Sequence, residues 1–197
     1  MKQRDFPEWS GEKAEYVEPT QVVRSFGYDV FASPVSDEAM QYNNDTFACV
    51  LSVEGEVAGE LNAYDNDAAA SDDIKQQALK FGAAKAGITL VDQKYVYKGH
   101  DVPHKYAILM AVPMDYDEIK YGATETHVKE VLKIYAEAGH TAVNLAEYIR
   151  ARGYPARAHS IRFEQLMMLP HAIAAGLGEL GRHGSLINRE LGCSFRL

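Results

Sequence analysis

Pro170-His-Ala-Ile-Ala-Ala-Gly176-Leu-Gly178-Glu-Leu-Gly181-Arg-His-Gly184-Ser-Leu-Ile187 is the stretch on which the reading of this chain turns. Four glycines, Gly176, Gly178, Gly181 and Gly184, fall within nine residues, directly after a short apolar run opened by Pro170. Proline is tolerated in the first turn of a helix, and glycine supplies both the positive φ that ends one and the bare backbone that lets something approach closely. Ala172 to Leu177 therefore reads as a short buried helix emptying into a glycine loop that carries Arg182 and His183. Ser185-Leu-Ile then resumes a strand-like pattern. Helix, glycine loop and strand in that order offer backbone N–H groups to a ligand with many polar edges. The plain alternative is a tight turn that needs small residues. The segment is read as neither a G-x-G-x-x-G dinucleotide fingerprint, with its third glycine read as one residue early, nor a P-loop, since no Lys-Ser/Thr follows.

Working outward, composition bounds the answer. A chain of 197 residues, 47% hydrophobic and 24% charged, suits one domain with a real core. Its formal net charge of -8 argues against nucleic acid as a partner, because phosphate recognition needs a basic surface. No apolar run approaches the ~20 residues that span a bilayer, and Met1 to Trp9 lacks the apolar core of a signal peptide. No membrane association is expected, and the cytoplasm is the expected compartment. Two cysteines, Cys49 and Cys193, belong to no C-x-x-C pair, so a cysteine-held zinc site or iron–sulfur cluster cannot come from this chain alone. Both are expected to be buried thiols.

Residues 1 to 45 are polar and punctuated by Pro7, Pro19 and Pro34, with Val22 to Phe31 open between a strand and a dimer arm. Phe47-Ala-Cys-Val-Leu-Ser-Val53 reads as a strand after an Asn-Asn-Asp turn signal. Asn62 to Asp67 reads as a loop, and Ser71-Asp-Asp as the start of a helix whose stripe is Ile74, Ala78, Leu79, Phe81 and Ala86, ended by Gly87. Ile88-Thr-Leu-Val follows as a strand. Tyr106 to Met114 is the most continuously apolar stretch, as expected of a central strand, with Pro113 marking its end. An acidic loop with Asp115, Tyr116, Asp117, Glu118 and Tyr121 lies just beyond. Glu125 to Arg152 is the clearest helix: Val128, Val131, Leu132, Tyr135, Ala138, Ala142, Leu145 and Ile149 share one stripe, and Gly153 stops it. Tyr135 thus faces the core side, where packing with a satisfied hydroxyl is the ordinary role of a tyrosine. Tyr154 to Ile161 reads as a further strand.

The run Ala174 to Gly192, Ala-Ala-Gly-Leu-Gly-Glu-Leu-Gly-Arg-His-Gly-Ser-Leu-Ile-Asn-Arg-Glu-Leu-Gly, resembles the cobalamin-binding loop of reductive dehalogenases and of their relatives the epoxyqueuosine reductases. Ala107 to Tyr116 and Ala146 to Ala156 are similar to the dehalogenase pattern in the same order, so the likeness spans roughly residues 75 to 197. The resemblance implies an α+β fold, an α/β sandwich of the nitroreductase-like kind with a mixed central sheet flanked by helices. It divides the chain into an N-terminal extension at 1–70 and a cobalamin-binding domain at 71–197. It also implies two four-iron four-sulfur clusters in a segment following the point where this sequence stops, so a fragment or excised domain is expected, inactive alone.

The family's cofactor is held without a protein ligand to cobalt, which points to Gly176, Leu177, Gly178, Gly181, Arg182, His183, Gly184, Ser185, Leu186 and Ile187 as cofactor-binding residues, with no protein-held metal. The family's proton donor, a tyrosine on the long helix, falls on Tyr135, and its assisting cation on Arg196; Tyr116 and Tyr121 align less surely. The pairing makes chemical sense, because a phenol with a reference pKa near ~10 is a poor acid unless a fixed cation stabilises the phenolate. The implied reaction is reductive removal of halide from an organohalide, with electrons from an iron–sulfur domain or an external reductase. His159-Ser-Ile stands where many respiratory dehalogenases have an asparagine, which leaves substrate positioning open. Three other readings remain: a non-catalytic corrinoid carrier or trafficking domain, an epoxyqueuosine reductase-like enzyme, and a flavin site. Against the second, that group has Gly-Trp-x-Gly-Lys where this chain has Gly178-Glu-Leu-Gly-Arg.

Overall fold

The computed structural model describes residues 36–120, 124–161 and 163–197; the strand or arm expected at Val22 to Phe31 and the candidate Tyr121 lie outside them. Ser36 caps the first helix, α1 (Asp37–Ala48), its hydroxyl accepting the Ala39 N–H at 3.4 Å while Asp37 and Glu38 occupy the positive end of the dipole. A 3-10 turn, Cys49–Ser52, continues it. The strand expected at Phe47 to Val53 is therefore helical: Ala39, Thr46, Cys49 and Val53 are buried at helical spacing, and Cys49 and Val53 pack with Ala142, Val143 and Ala146.

The second helix, α2 (Asp67–Lys80), begins four residues before Ser71. Asn66 is its cap, accepting the Ala69 N–H at 2.9 Å. It ends at Phe81 and Gly82, whose φ of +118° is the left-handed stop expected of Gly87. Gly87 instead lies within β1 (Lys85–Leu90).

β1 pairs along its whole length with β2 (Tyr106–Pro113), from Lys85 opposite Ala111 to Leu90 opposite Tyr106. The exit of β2 pairs with the last strand, Val112 opposite Arg196 and Pro113 opposite Phe195. β2 is thus central, but the sheet is antiparallel throughout, where a mixed sheet was expected. Parallel pairing needs a crossover, usually helical. Residues 91–105 instead return the chain directly, with the Val91 N–H on the Lys105 carbonyl at 3.0 Å. Helices cover both faces, in keeping with an α+β fold. Ile108 and Met110 meet Ile74, Ala78 and Leu145, and Val112 meets Ile134 and Ala138. On the opposite face Leu109 and Ala111 meet Ala172, Leu177, Leu186 and Phe195.

Beyond β2, Asp115 caps a single turn, α3 (Tyr116–Ile119), which gives that acidic residue a structural duty; Tyr116 is exposed. The long helix α4 (Glu125–Ala151) is capped by Thr124 on the His127 N–H at 3.2 Å and stopped by Gly153, φ +88°, as its sequence requires. Tyr154 to Ile161 forms no strand, and Ile161 lies in a turn. Its Ala158 N–H reaches Val53 O at 2.9 Å and its Ala156 carbonyl is taken by the buried Arg150 at 3.0 Å, so no ladder forms among the described residues. The chain then enters α5 (Met168–Ala174), with Pro170 in its first turn. It closes through β3 (Glu179–Leu180), β4 (Leu186–Ile187) and β5 (Phe195–Arg196).

Candidate functional site

The end of α5 is built as a Schellman stop: the Gly176 N–H bonds Ile173 O at 3.0 Å, the Leu177 N–H bonds Ala172 O at 2.9 Å, and Gly176 takes φ +77°. α5 itself is held by His171, which is 1% exposed. Its Nε2 accepts the Asp92 N–H at 3.1 Å, so Nδ1 carries the proton and donates to Met167 O at 2.7 Å. Close approach of this helix end to the sheet is what Gly87 permits, since a Cβ there would stand 2.7 Å from Ala175 O.

After Leu177 the segment is a β-hairpin, where a loop leading into a strand was expected. Glu179 faces Ile187 and Leu180 faces Leu186. Gly178 lies so close to its partner strand that a Cβ would collide with Ile187 O. Several of the N–H groups expected to face a ligand are used inside the hairpin: Gly181 donates to Ser185 O at 2.8 Å, Gly184 to Gly181 O at 3.0 Å, and Ser185 to His183 Nδ1 at 3.1 Å. Arg182 and His183 sit exposed at the tip. Gly176 and Gly184, by contrast, leave bare backbone with nothing within 4 Å of where a Cβ would lie. Gly176, Gly178 and Gly181 do stand at G-x-G-x-x-G spacing. What excludes a dinucleotide fingerprint is context, because these glycines follow a helix and enter a hairpin instead of leaving a strand and opening a helix.

Two residues far apart in sequence meet beside this hairpin. The Arg196 guanidinium lies 4.9 Å from the centroid of the Tyr135 ring, within cation–π range. Both line a cavity of about 310 Å³ together with Glu164, Ser185, Leu186 and Cys193. Arg196 is half-buried, one guanidinium nitrogen reaching Phe195 O at 3.3 Å while its buried Nε has no hydrogen-bond partner among the described residues. Tyr135 is half-buried, as its stripe requires. Cys193, expected to be buried, is exposed on this wall; Cys49 is buried, with Sγ 3.7 Å from His140 Nδ1 and its thiol pushed up by burial.

A second cavity, about 830 Å³, runs between the α4 face of β2 and the extended segment 154–159 and is mainly apolar; Met168 and Leu197 line both cavities. His159 and Arg157 stand on its wall, and Tyr64, Arg152 and Tyr154 at another part of it. The Tyr64 and Tyr148 hydroxyls both donate to Asp73, at 2.5 and 2.8 Å, and Arg152 lies 4.0 Å over the Tyr64 ring. Sequence reasoning missed Asn188 altogether. It is 9% exposed, and its side chain joins the start of the hairpin to the turn before β5. Only the turn-like composition Asn188-Arg-Glu-Leu-Gly192 signalled it.

The residues present fit a flat, amide-rimmed macrocycle. Bare glycine backbone faces open space, the smaller cavity adjoins both the hairpin and the apolar cavity, and a buried guanidinium nitrogen lacks a partner among the described residues.

No family model matches the chain. It is 30% identical over 93 residues to the tetrachloroethene reductive dehalogenases of Dehalobacter restrictus and Desulfitobacterium hafniense, a match that covers 47% of this chain and 16% of those proteins. Among solved structures, the catabolic reductive dehalogenase NpRdhA superposes with a TM-score of 0.75 at 22% identity, over 80% of this chain and 25% of that one. A reductive dehalogenase described in terms of B12-dependent dehalogenation gives 0.74 over the same shares. The present chain thus spans about a sixth to a quarter of the length of these relatives, and over that part it is similar to the reductive dehalogenases.

Proposed function

We propose that this relative of the reductive dehalogenases is the cobalamin-binding part of an enzyme that removes halide from an organohalide. The fold is read as the nitroreductase-like type, with 71–197 as its cofactor-binding unit. The observation that carries the proposal is the meeting of Tyr135 and Arg196 on one cavity wall beside an open glycine backbone. Gly176 before the hairpin, Gly184 in its turn and the hairpin itself would hold the cofactor through backbone groups, with the apolar cavity behind Met168 and Leu197 keeping water out. When bound, cobalamin supplies a reducible cobalt able to break a carbon–halogen bond.

Replacing carbon–halogen by carbon–hydrogen takes two electrons and one proton and releases halide. Tyr135 delivers the proton to carbon, and Arg196 stabilises the phenolate left behind. The electrons come from outside this chain, through an iron–sulfur domain or a separate reductase.

The test is reconstitution with hydroxocobalamin under a low-potential chemical reductant, with turnover compared to free cobalamin. Corrinoid bands without histidine ligation and halide release faster than the free cofactor are expected. Tyr135→Phe is expected to keep the bands and to lose about 10²-fold or more of the turnover, the usual worth of a positioned general acid. Binding with no acceleration would sink the enzymatic reading and leave a carrier; failure to bind cobalamin would sink both.

A further inference from the structure

Asn188 stands where two parts of the site join. Its Nδ2 donates to Leu177 O at 2.7 Å, at the point where the Schellman stop gives way to the hairpin. Its Oδ1 accepts the Glu190 N–H at 2.8 Å and the Leu191 N–H at 3.1 Å, which closes an Asx turn. Its backbone exchanges two bonds with Gly192, N–H to O at 2.8 Å and O from N–H at 2.9 Å. The turn so fixed opens directly into Cys193, Ser194 and β5. Ser194 O takes the Met114 N–H at 2.9 Å, and Arg196 is set opposite Val112. With β5 only two residues long, its own ladder and the buried Phe195 supply part of that placement; the turn sets where the strand begins.

We infer that Asn188 is the positioning residue for Arg196: one buried amide locks the glycine hairpin to the turn that delivers the guanidinium against Tyr135. The inference rests on the reading that Arg196 stabilises the Tyr135 phenolate. Aspartate in its place has the same shape and still accepts from residues 190 and 191, yet has no N–H for Leu177 O and sets a carboxylate against that carbonyl. The link to the hairpin is lost while the Asx turn is kept.

The experiment follows the Arg196 side-chain Nε–H resonance by 15N–1H NMR, identified by its loss in Arg196→Gln, in the parent chain, Tyr135→Leu, Asn188→Asp and Ser36→Ala. The last removes the cap of α1, which lines neither cavity, so it costs stability without touching the site. Tyr135→Leu is expected to shift that resonance, because the guanidinium lies over the ring and loses its ring current. Asn188→Asp is expected to reproduce at least half of that shift, and Ser36→Ala none. A shift in Tyr135→Leu with none in Asn188→Asp overturns the inference and leaves the pairing intact. A shift of equal size in Ser36→Ala overturns it too, as mere loss of stability. No shift in Tyr135→Leu overturns the pairing itself. Should Asn188→Asp fail to fold, Gly192→Ala strains the same turn at φ +61° with nothing within 4 Å to clash, and carries the same expectation and the same overturning result.

Discussion

His159, on the wall of the large cavity, has a strongly displaced proton equilibrium. Burial holds its imidazole down at about 4, with Arg157 adding to the effect and His104, His100 and His171 after it. Its Nδ1 accepts the Gln165 N–H at 3.3 Å, which suits the neutral ring. In the unfolded chain the same ring titrates near ~6.5. Between those values the unfolded state binds more protons than the folded one, so stability rises with pH from about 4 to ~6.5 and is flat outside that window. His159→Gln is expected to remove that slope, worth up to ~3 kcal/mol across the window, in denaturant midpoints measured from pH 4 to 7. Asp73 adds a lower acid limb. Burial opposes its charge, but the bonds from Tyr64, Tyr148 and Gln77 outweigh it and hold the carboxyl below its ordinary value, so its contribution is lost as pH falls through that depressed value. Residue identity was legible unevenly at this scale. The helical stripe placed Tyr135 correctly on the inner side of α4, whereas its partner Arg196, 61 positions later, came only from family likeness, because contact across that separation leaves no local pattern. Cys193 was misread for the same reason: burial of a lone thiol depends on what the final turn does with it.

Glycine shows how elements are legible only where their signal is local. Gly153 stops α4 by its own φ, and the stop was evident from the stripe that precedes it. Gly87 was taken for another stop, yet its reason is the approach of α5, 88 residues on, to β1. Gly87→Ala is expected to cost ~1–3 kcal/mol, the usual penalty for overpacking, since Ala175 O and Cβ would stand 2.7 and 2.9 Å away. Gly59→Ala, with nothing within 4 Å and an ordinary φ, is expected to stay within ~0.5 kcal/mol of the parent; thermal melts of the two variants separate the cases. The start of α2 was displaced because Asn66 and Ser71 are both good caps, and Ala68-Ala-Ala between them favours the earlier choice. Phe47 to Val53 misled because a short apolar run carries no period of its own; the deciding signal was Ser36 with its two following acids, eleven residues upstream. Strand direction was not legible at all. The long return through 91–105 looks the same in sequence whether it crosses over or doubles back.

At the scale of the whole molecule, α1 and α2 pack on the same α4 whose other contacts support the candidate site, and the large cavity is walled by elements drawn from both halves of the described chain. The large cavity ends near a cluster that clamps residues 61–66 to α2 and α4: two phenols on Asp73, with Arg152 laid over Tyr64. A cavity of about 830 Å³ with mostly apolar walls is costly to keep in an otherwise close-packed core, because its lining atoms lack partners on one side. A ligand that fills it and binds only the folded state returns those contacts and stabilises by mass action. At a hundredfold excess over its dissociation constant the gain is ~2.7 kcal/mol, which for a chain of this length is about 5–10 °C in melting temperature. Hydroxocobalamin is therefore expected to raise the melting temperature of the parent and of Tyr135→Phe alike, since the phenol serves proton transfer and not retention. Asp73→Ala, which frees the clamp, is expected to lower the melting temperature of the ligand-free chain by several degrees, on the order of 1–3 kcal/mol for two orphaned phenols, while leaving most of the ligand's increment in place. An increment that vanishes in Tyr135→Phe would mean that the phenol anchors the cofactor, and the division of labour between hairpin and helix would have to be redrawn.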